Sequence, residues 1–348
     1  MAASNKIAIL GSGVLARRLF LKLFEEGIDI VLLAETPNNF NTVDEFGNQL
    51  VMNLTLDTIY GRTPHDITYD SSRQSITIDG RVIDLALDDV INLQLGYYAV
   101  DVLVDCSCVV DDGSIADAGY NAGAKTVITT TYPQSDTVLY NYYNGEYIVT
   151  PLNDTQHGIN CCMAEAYAIA AALVCKAFND DYTIIFGVME EFISNTNYGY
   201  VQDYPDGSAT SKARACDNVI FGYQSVDRRT SRVVPELNGK IFKKQFRINT
   251  KNVNTVSFIL KLNGSFTDSD LIASYKSACN DFLKTDGTLD TVSLDYNTLD
   301  YVGTSDNKIG ILSSLENTMG IVVFYDAIML QVHNIVEYIK NHAGDWSR

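Results

Sequence analysis

The segment that most constrains the fold is an apolar run, a glycine turn, an amphipathic stretch and a second apolar run, in that order. Ile7 to Leu10 has the continuous apolar character of a strand buried in a parallel sheet. Gly11-Ser12-Gly13 follows it, and Val14 to Glu26 has helical periodicity. Ile28 to Ala34 is the second apolar run. This order predicts the opening β–turn–α–β unit of a doubly wound parallel sheet.

The glycine turn has two interpretations. Gly11 and Gly13 occupy the first two positions of a G-x-G-x-x-G dinucleotide fingerprint, and Ala16 occupies the third. In the first interpretation, a pyrophosphate meets the backbone N–H groups at the start of the following helix. In the second, the glycines are present because the tight turn requires them, whether or not a dinucleotide binds.

Further apolar runs predict the remaining elements. Asp79-Gly80 predicts a hairpin turn. The predicted strands are Ser75 to Ile78, Val82 to Leu85, Val100 to Asp105, Thr126 to Thr131, Tyr147 to Thr150, Tyr182 to Glu190, Lys244 to Asn249, Thr255 to Leu262 and Gly320 to Phe324. The predicted helices are Ile115 to Ala122, Asn160 to Phe178, Asp268 to Lys284 and Ala327 to His342.

These elements predict an α/β protein of two domains. Residues 1–153, joined by the C-terminal helix 327–348, form a doubly wound, Rossmann-like domain of the dinucleotide-binding type. Residues 154–326 form an α+β domain with a mixed or antiparallel sheet and helices on one face.

Charge and hydropathy exclude several classes of partner. The net charge of −18 argues against nucleic acid, because nucleic-acid affinity depends on cationic neutralisation of phosphates. Arg228-Arg229 and Lys243-Lys244 are short basic clusters, and we interpret them as solvated surface. The apolar runs are too short or too interrupted to span a bilayer, and no signal-peptide architecture precedes the first strand. We therefore expect an intracellular protein, in a compartment that the sequence does not specify.

The cysteines indicate neither a disulfide framework nor a metal site. There are seven, an odd number without CxxC pairs, and most lie in apolar surroundings typical of reduced, buried thiols. His157 and Cys161 are spaced one helical turn apart around the start of the predicted helix, with Asp154 nearby. A metal or nucleophile pair is one interpretation of this group, and helix capping and packing is the simpler one.

One long motif points to a family. Residues 232–240 read Arg-Val-Val-Pro-Glu-Leu-Asn-Gly-Lys, and Phe246-Arg247 and Asn252-Val253 follow. This segment closely resembles a signature of phosphorylating glyceraldehyde-3-phosphate dehydrogenase. Residues 57–62 resemble that family's Asp-Ser-x-His-Gly-x segment, and residues 123–128 resemble its Gly-Ala-Lys-Lys-Val-Ile segment. The resemblance covers nearly the whole chain.

The resemblance also implies that the catalytic groups have changed. The family uses a cysteine nucleophile at a helix N-terminus, a histidine base and an asparagine that orients the nicotinamide amide. The aligned residues here are His157, Glu190 and Ala327. A neutral imidazole cannot form the thiohemiacetal and thioester of this chemistry. We therefore expect no catalytic residue. Of the family's anion contacts, only the substrate-phosphate arginine is matched, by Arg247, which is either a vestigial anion contact or an ion-pair partner.

The cofactor site is only partly retained under the same resemblance. Gly11 and Gly13 remain, and Glu35 stands beside Thr36, where the family has the aspartate that takes the adenosine ribose. Cys108 and Tyr132 replace smaller residues that border the cofactor. We predict no bound cofactor and a vestigial or weak NAD site.

These expectations lead to three hypotheses of function. The first is a pseudoenzyme, a dehydrogenase fold reused as a structural, self-assembling protein whose partner is itself, most simply as a homotetramer. The second is an NAD-binding regulatory or sensor module. The third is a dehydrogenase with altered chemistry based on His157, Glu190 or Cys161. For the first, we expect Tyr198, Tyr200 and Tyr204, in a loop from Ser194 to Lys212, to lie at a subunit contact.

Overall fold

The computed structural model describes residues 5–109, 111–154, 160–194, 219–344 and 346. The chain divides into two compact units, residues 1–165 with 331–348 and residues 166–330. The first unit contains a mainly parallel sheet, and the second contains a mixed sheet. The α/β architecture predicted from the sequence is therefore confirmed.

The first unit contains one large sheet and a small two-stranded one. Its strands are β1 (Lys6–Leu10), β2 (Asp29–Glu35), β3 (Leu56–Asp57), β4 (Gly61–Arg62), β5 (Ile67–Asp70), β6 (Ser75–Ile78), β7 (Arg81–Leu87), β8 (Val102–Asp105), β9 (Thr126–Thr129) and β10 (Asn160–Cys162). The order across the large sheet is β10-β9-β8-β1-β2-β7-β6-β5. The strands from β10 to β7 are parallel, and β6 and β5 add an antiparallel edge.

The helices of the first unit follow the strands in the manner of a doubly wound fold. They are α1 (Val14–Glu25), α2 (Val43–Thr55), α3 (Leu95–Tyr98), α4 (Ser114–Ala122), α5 (Asp136–Tyr143) and α6 (Thr150–Asn153). The central strands are buried along their length, which explains their continuous apolar runs. The predicted hairpin is also confirmed, since Asp79 and Gly80 both have positive φ between β6 and β7.

The second unit begins with α7 (Ala166–Tyr182), which is buried over most of its surface. The other elements are β11 (Ile184–Ile193), β12 (Ile220–Val226), α8 (Thr230–Val233), β13 (Ile241–Arg247), β14 (Asn254–Leu262), α9 (Asp268–Ala278), β15 (Leu283–Thr285), β16 (Val302–Thr304), β17 (Ile309–Ile311), β18 (Thr318–Tyr325) and α10 (Ala327–Asn341). The order across the sheet is β12-β13-β11-β14-β18-β16-β15, and β17 also pairs with β18. Leu330 is the last residue of α10 assigned to this unit.

Alternation along the strands gives the second sheet two different faces. In β14, Val256, Phe258 and Leu260 are completely buried, whereas Ile259 between them is 43% exposed. Lys243 of β13 contacts the ring of Tyr167 in the first turn of α7, so the face that carries Lys243 is the one that α7 covers. We call this the inward face and the opposite one the outward face.

Three predicted elements differ most from the structure. Asn160 to Cys162 is a strand paired with β9, and the helix predicted from Asn160 begins only at Ala166. Periodicity does not separate a short buried strand from a buried helix, and this apolar run satisfies both. The strand predicted from Tyr147 to Thr150 is reduced to one bridge at Ile148, followed by α6. The helix predicted to Lys284 ends at Ala278, before β15.

Candidate functional site

Gly11 is required by the turn itself. Its φ is +107°, and a Cβ atom at this position would lie 2.6 Å from the carbonyl oxygen of Cys106. The Gly11 N–H donates to the Ala34 carbonyl at 2.8 Å, which ties the turn to the end of β2. The glycine is therefore explained by backbone packing alone, with no need for a ligand.

Gly13 has no such structural requirement. It precedes α1 with φ −63°, a value open to any residue, and no atom lies within 4 Å of an added Cβ. Gly13 has no side chain to cap α1, so the N–H groups at the start of the helix receive no cap from this position. Arg17 steadies the turn, because its Nη1 donates to the Ser12 carbonyl at 2.9 Å and its Nη2 lies 3.0 Å from Oδ2 of Asp57. This end of the site fits the phosphates of a dinucleotide.

Glu35, at the end of β2, does not fit the role of a ribose acceptor. Its Oε2 accepts from the Ser12 hydroxyl at 2.7 Å, and its Oε1 accepts from the Thr36 N–H at 2.9 Å. The residue is only 3% exposed. Because the carboxylate is buried and each of its oxygens already accepts a hydrogen bond from the protein, a ribose hydroxyl would compete with the Ser12 and Thr36 contacts to bind there.

Asp105 ends β8 beside this turn and is an unusual buried acid. Its side chain is fully buried, Oδ1 accepts from the Ser107 N–H at 2.9 Å, and Oδ2 has no hydrogen-bond partner. Burial raises the pKa of the Asp105 carboxyl to about 6. Cys108, at the position where the resemblance implies a glycine, is exposed and has φ +59°, a conformation that favours glycine. Tyr132, also beside the expected cofactor, is 38% exposed.

The resemblance implies that the nucleophile lies at the N-terminus of a helix. In this structure that helix is α7. His157 lies outside the described residues. Residues 163–165, which join β10 to α7, read Met-Ala-Glu and contain no thiol. The nearest thiol before them, Cys162, is 1% exposed and lies 3.8 Å from the Thr131 carbonyl, to which it donates. Cys161 is equally buried, with its Sγ 2.9 Å from the Tyr338 hydroxyl. Neither thiol is exposed for attack on a substrate.

Glu190 and Glu191 lie on opposite faces of the second sheet, because successive strand residues alternate. Glu190 is half-exposed on the outward face, where its Oε1 lies 3.5 Å from Nζ of Lys244. Glu191 lies on the inward face with Lys243, the face covered by α7. The sequence comparison selected Glu190, and the structure places its neighbour toward the start of α7.

Glu191 forms a buried polar network that the sequence did not reveal. Its Oε2 lies 2.7 Å from Nζ of Lys243, and the two side chains are 2% and 1% exposed. Tyr325 donates to Oε1 at 2.8 Å, and Gln245 donates to Oε2 at 2.9 Å. Nζ of Lys243 also lies 2.9 Å from the centroid of the Tyr167 ring. Alternate residues of a strand lie on opposite faces of the sheet. This alternation along β13 is the signal that could have shown that Lys243 and Lys244 lie on different faces.

Two predicted site positions lie at the ends of elements. Ala327 opens α10, directly after Asp326, whose Oδ1 accepts from the N–H groups of Ile328 and Met329. A methyl group at Ala327 offers no hydrogen bond to an amide. Arg247 ends β13, opposite Ile193 of β11, and its side chain is partly buried.

The remaining predictions concern residues that the structure does not describe, and the expected absence of a metal site and of a membrane-spanning segment. Tyr198, Tyr200 and Tyr204 lie outside the described residues. In the part of the chain that the structure describes, no three histidine, cysteine or acidic side chains are grouped closely enough to hold a metal ion. None of the helices described there is long and apolar enough to cross a membrane.

One known protein family matches part of this chain, and the match lies within the second unit. Residues 168–327 match the family described as glyceraldehyde 3-phosphate dehydrogenase, C-terminal domain. These residues contain α7 from its third residue onward, the whole mixed sheet and the first residue of α10. The second unit is therefore similar to the C-terminal domain of this family, in agreement with the resemblance of the motif at 232–240.

Similarity to curated proteins extends beyond that domain. Glyceraldehyde-3-phosphate dehydrogenase of Mastigamoeba balamuthi is 26% identical over 336 residues, which cover 92% of this chain and 93% of that protein. The enzyme of Priestia megaterium is 25% identical, with 90% and 94% covered. That of Escherichia fergusonii is 26% identical, with 92% and 94% covered.

Proposed function

We propose that this chain, whose second unit is similar to the C-terminal domain of the glyceraldehyde 3-phosphate dehydrogenase family, has lost the dehydrogenase reaction and serves as a structural, self-assembling protein. The loss of the dehydrogenase reaction is inferred from the residues at the start of α7. A thiolate nucleophile there would gain from the helix N-terminus, which lowers its pKa. The residues that join β10 to α7 include no cysteine, and the nearest described thiol, Cys162, is buried.

The position of the general base supports the same proposal. A base must reach the proton that it removes, within hydrogen-bonding distance or through one water. Glu190 lies on the outward face with Lys244, and Glu191 is held by Lys243, Tyr325 and Gln245. Both carboxylates are thus already engaged by other side chains of the sheet.

Self-assembly is supported by the outward face of the second sheet. Val226, Phe242, Val188 and Ile259 are paired across four neighbouring strands and form one apolar row. Val226 and Ile259 at its ends are 46% and 43% exposed. An exposed apolar row on a sheet marks an interaction surface.

A second row on the same face is aromatic. Phe246 pairs with Phe192 on one side and with Phe221 on the other, with ring centroids 5.5 and 5.6 Å apart. Phe221 is 46% exposed. The half-exposed Glu190–Lys244 pair lies between this row and the first, together with Gln224, which pairs with Lys244. We propose a second copy of this chain as the occupant of the outward face, in a homotetramer, with the loop that carries Tyr198, Tyr200 and Tyr204 at a subunit contact.

An NAD-binding regulatory module is the alternative, and Gly13 is the observation that favours it. The turn does not need glycine at this position, and the absence of a side chain leaves the start of α1 open. Against it stands Glu35, whose carboxylate is already bonded to Ser12 and Thr36.

The experiment that tests the loss of chemistry is a dehydrogenase assay. Purified protein is mixed with glyceraldehyde 3-phosphate, NAD and phosphate, and NADH is followed by absorbance, with the Cys162→Ser and Cys161→Ser variants as matched controls. We expect no turnover above the blank for any of the three. Turnover by the wild type that either substitution abolishes would refute the proposal and identify that thiol as the nucleophile.

A further inference from the structure

The sequence contains three Asn-Gly pairs, Asn144-Gly145, Asn238-Gly239 and Asn263-Gly264. In such a pair the glycine nitrogen can attack the side-chain amide of the asparagine, because glycine has no side chain to obstruct the approach. The attack requires the peptide unit between the two residues to rotate about the Cα–C bond of the asparagine. A folded structure therefore protects an Asn-Gly pair when hydrogen bonds hold that peptide unit in place.

The first pair is held at the end of α5. Asn144 is the C-cap residue with φ +55°, and the Gly145 N–H donates to the Leu139 carbonyl at 3.0 Å. Gly145 is buried, and a Cβ atom at this position would overlap the ring of Tyr140. The nitrogen that would attack is thus already engaged, and an aromatic ring lies against the peptide unit.

The second pair is held in a closed turn. Asn238 has φ −58° and ψ 122°, and Gly239 has φ +76°, which are the angles of a type II turn. The Lys240 N–H closes this turn on the Leu237 carbonyl at 3.0 Å. Rotation about the Cα–C bond of Asn238 would therefore break the hydrogen bond that closes the turn.

The third pair is not held in this way. Asn263 and Gly264 are both exposed, in the loop that joins β14 to α9. The Asn263 N–H donates to the carbonyls of Tyr182 and Thr183 at 2.8 and 3.1 Å, which fixes the residue but not the bond that must rotate. Within the described residues, neither the carbonyl or side-chain amide of Asn263 nor the Gly264 N–H forms a hydrogen bond.

We propose that Asn263 is a site of spontaneous deamidation in the folded protein. The Gly264 nitrogen forms a bond to Cγ of Asn263, the Cγ–Nδ2 bond breaks, and the proton from Gly264 leaves with Nδ2 as ammonia. Water then opens the resulting succinimide at either carbonyl, which gives aspartate or isoaspartate. The product carries an additional negative charge, and in isoaspartate the main chain runs through the former side-chain carbon. The proposal does not depend on whether the chain has kept or lost dehydrogenase activity.

Peptide mapping by mass spectrometry, after incubation of the folded protein in mildly alkaline buffer, tests the proposal. The reference for each pair is its own tryptic peptide incubated in the same buffer, because a different residue follows each glycine. We expect Asn263 to convert in the folded protein nearly as fast as in its peptide, with isoaspartate as the main product. Asn144 and Asn238 should convert about tenfold or more slowly than in their peptides, since the reaction there must wait for local opening of the structure.

Two variants separate Asn263 from the other pairs. Anion-exchange chromatography should show an acidic species that accumulates in the wild type and is absent from Asn263→Gln, because glutamine closes the larger ring much more slowly. Asn238→Gln is the matched control at another exposed asparagine, and it should accumulate the same species as the wild type. Protection of Asn263 equal to that of Asn144, or conversion of all three pairs at their peptide rates, would overturn the proposal. So would an acidic species that Asn238→Gln loses and Asn263→Gln keeps.

Discussion

Nζ of Lys243 lies 2.7 Å from Oε2 of Glu191, and neither side chain is more than 2% exposed. Two opposite charges in contact inside the second unit make the free energy of unfolding sensitive to the loss of either one. Desolvation of each ion is compensated by the other, by the hydrogen bonds of Tyr325 and Gln245 to Glu191, and by the Tyr167 ring beside Lys243.

This relationship predicts a marked non-additivity. Lys243→Met should lower the free energy of unfolding by about 3–5 kcal/mol, because it leaves the Glu191 carboxylate buried without its cation. Adding Glu191→Gln should restore most of that loss, since a neutral amide keeps partners in Tyr325 and Gln245. Urea unfolding of the wild type, both single variants and the double variant measures the coupling. Additive effects of the two single substitutions would show that the charges do not interact.

The carboxyl of Asp105 predicts how stability changes with pH. Burial raises the folded-state pKa to about 6, so the folded protein binds more protons than the unfolded chain between about pH 4 and pH 6. The contribution of this group to stability is therefore fully present below pH 4 and is lost as pH rises through 6. Asp105→Asn should be more stable than the wild type at pH 7.5 by about 1–3 kcal/mol.

The same substitution should remove the pH dependence that Asp105 causes. Thermal or urea unfolding from pH 4 to pH 7.5 should show a smaller decrease for Asp105→Asn than for the wild type. Asp111→Asn is a matched control at a nearby buried acid whose Oδ1 accepts from the Gly113 N–H. Identical slopes for Asp105→Asn and the wild type would contradict the assignment.

The turn at Gly11 and the buried Glu35 predict weak or absent NAD binding. Calorimetry should show no heat of binding at low micromolar NAD, because a ribose competes with the Ser12–Glu35 hydrogen bond. Gly13→Val is the matched control, since its side chain would enter the open space before α1 without a backbone clash. A tight isotherm that Gly13→Val abolishes would favour the sensor hypothesis.

Most of the fold could be predicted because its signals are local. The order of apolar run, glycine turn and helical periodicity from Ile7 to Ala34 is compatible with few other structures. The Asp79-Gly80 pair predicts a hairpin turn from two adjacent residues alone. The segment from Asn160 could not be assigned in this way. Its strand depends on pairing with β9, a contact with residues more than thirty positions earlier in the chain.

The candidate site was harder to predict because a strand changes face at every residue. Glu190 and Glu191 are chemically identical in a sequence, and a one-residue register decides which of them faces α7. Lys243 and Lys244 show the same effect, with one buried against Glu191 and the other half-exposed beside Glu190.

The outward face of the second sheet predicts the oligomeric state. Ile259→Lys places a charge in the apolar row that contains Val188 and Phe242, where burial against a second copy would desolvate it. We expect a wild-type tetramer at neutral pH and a smaller species for the variant, measured by light scattering after size-exclusion chromatography. Because Ile259 is 43% exposed, the substitution should leave the unfolding temperature of the monomer nearly unchanged.

Two further variants identify the contact surfaces. Leu289→Lys is the matched control, since Leu289 is 65% exposed and lies outside β11 to β14, and it should remain a tetramer. Tyr198→Ala/Tyr200→Ala/Tyr204→Ala should shift the wild-type assembly toward smaller species, because tyrosines bury large areas at an interface with little loss of side-chain entropy. A monomeric wild type would refute the self-assembly proposal. An Ile259→Lys protein that stays tetrameric would remove the outward face from the interface, and the tyrosine loop would then have to account for assembly.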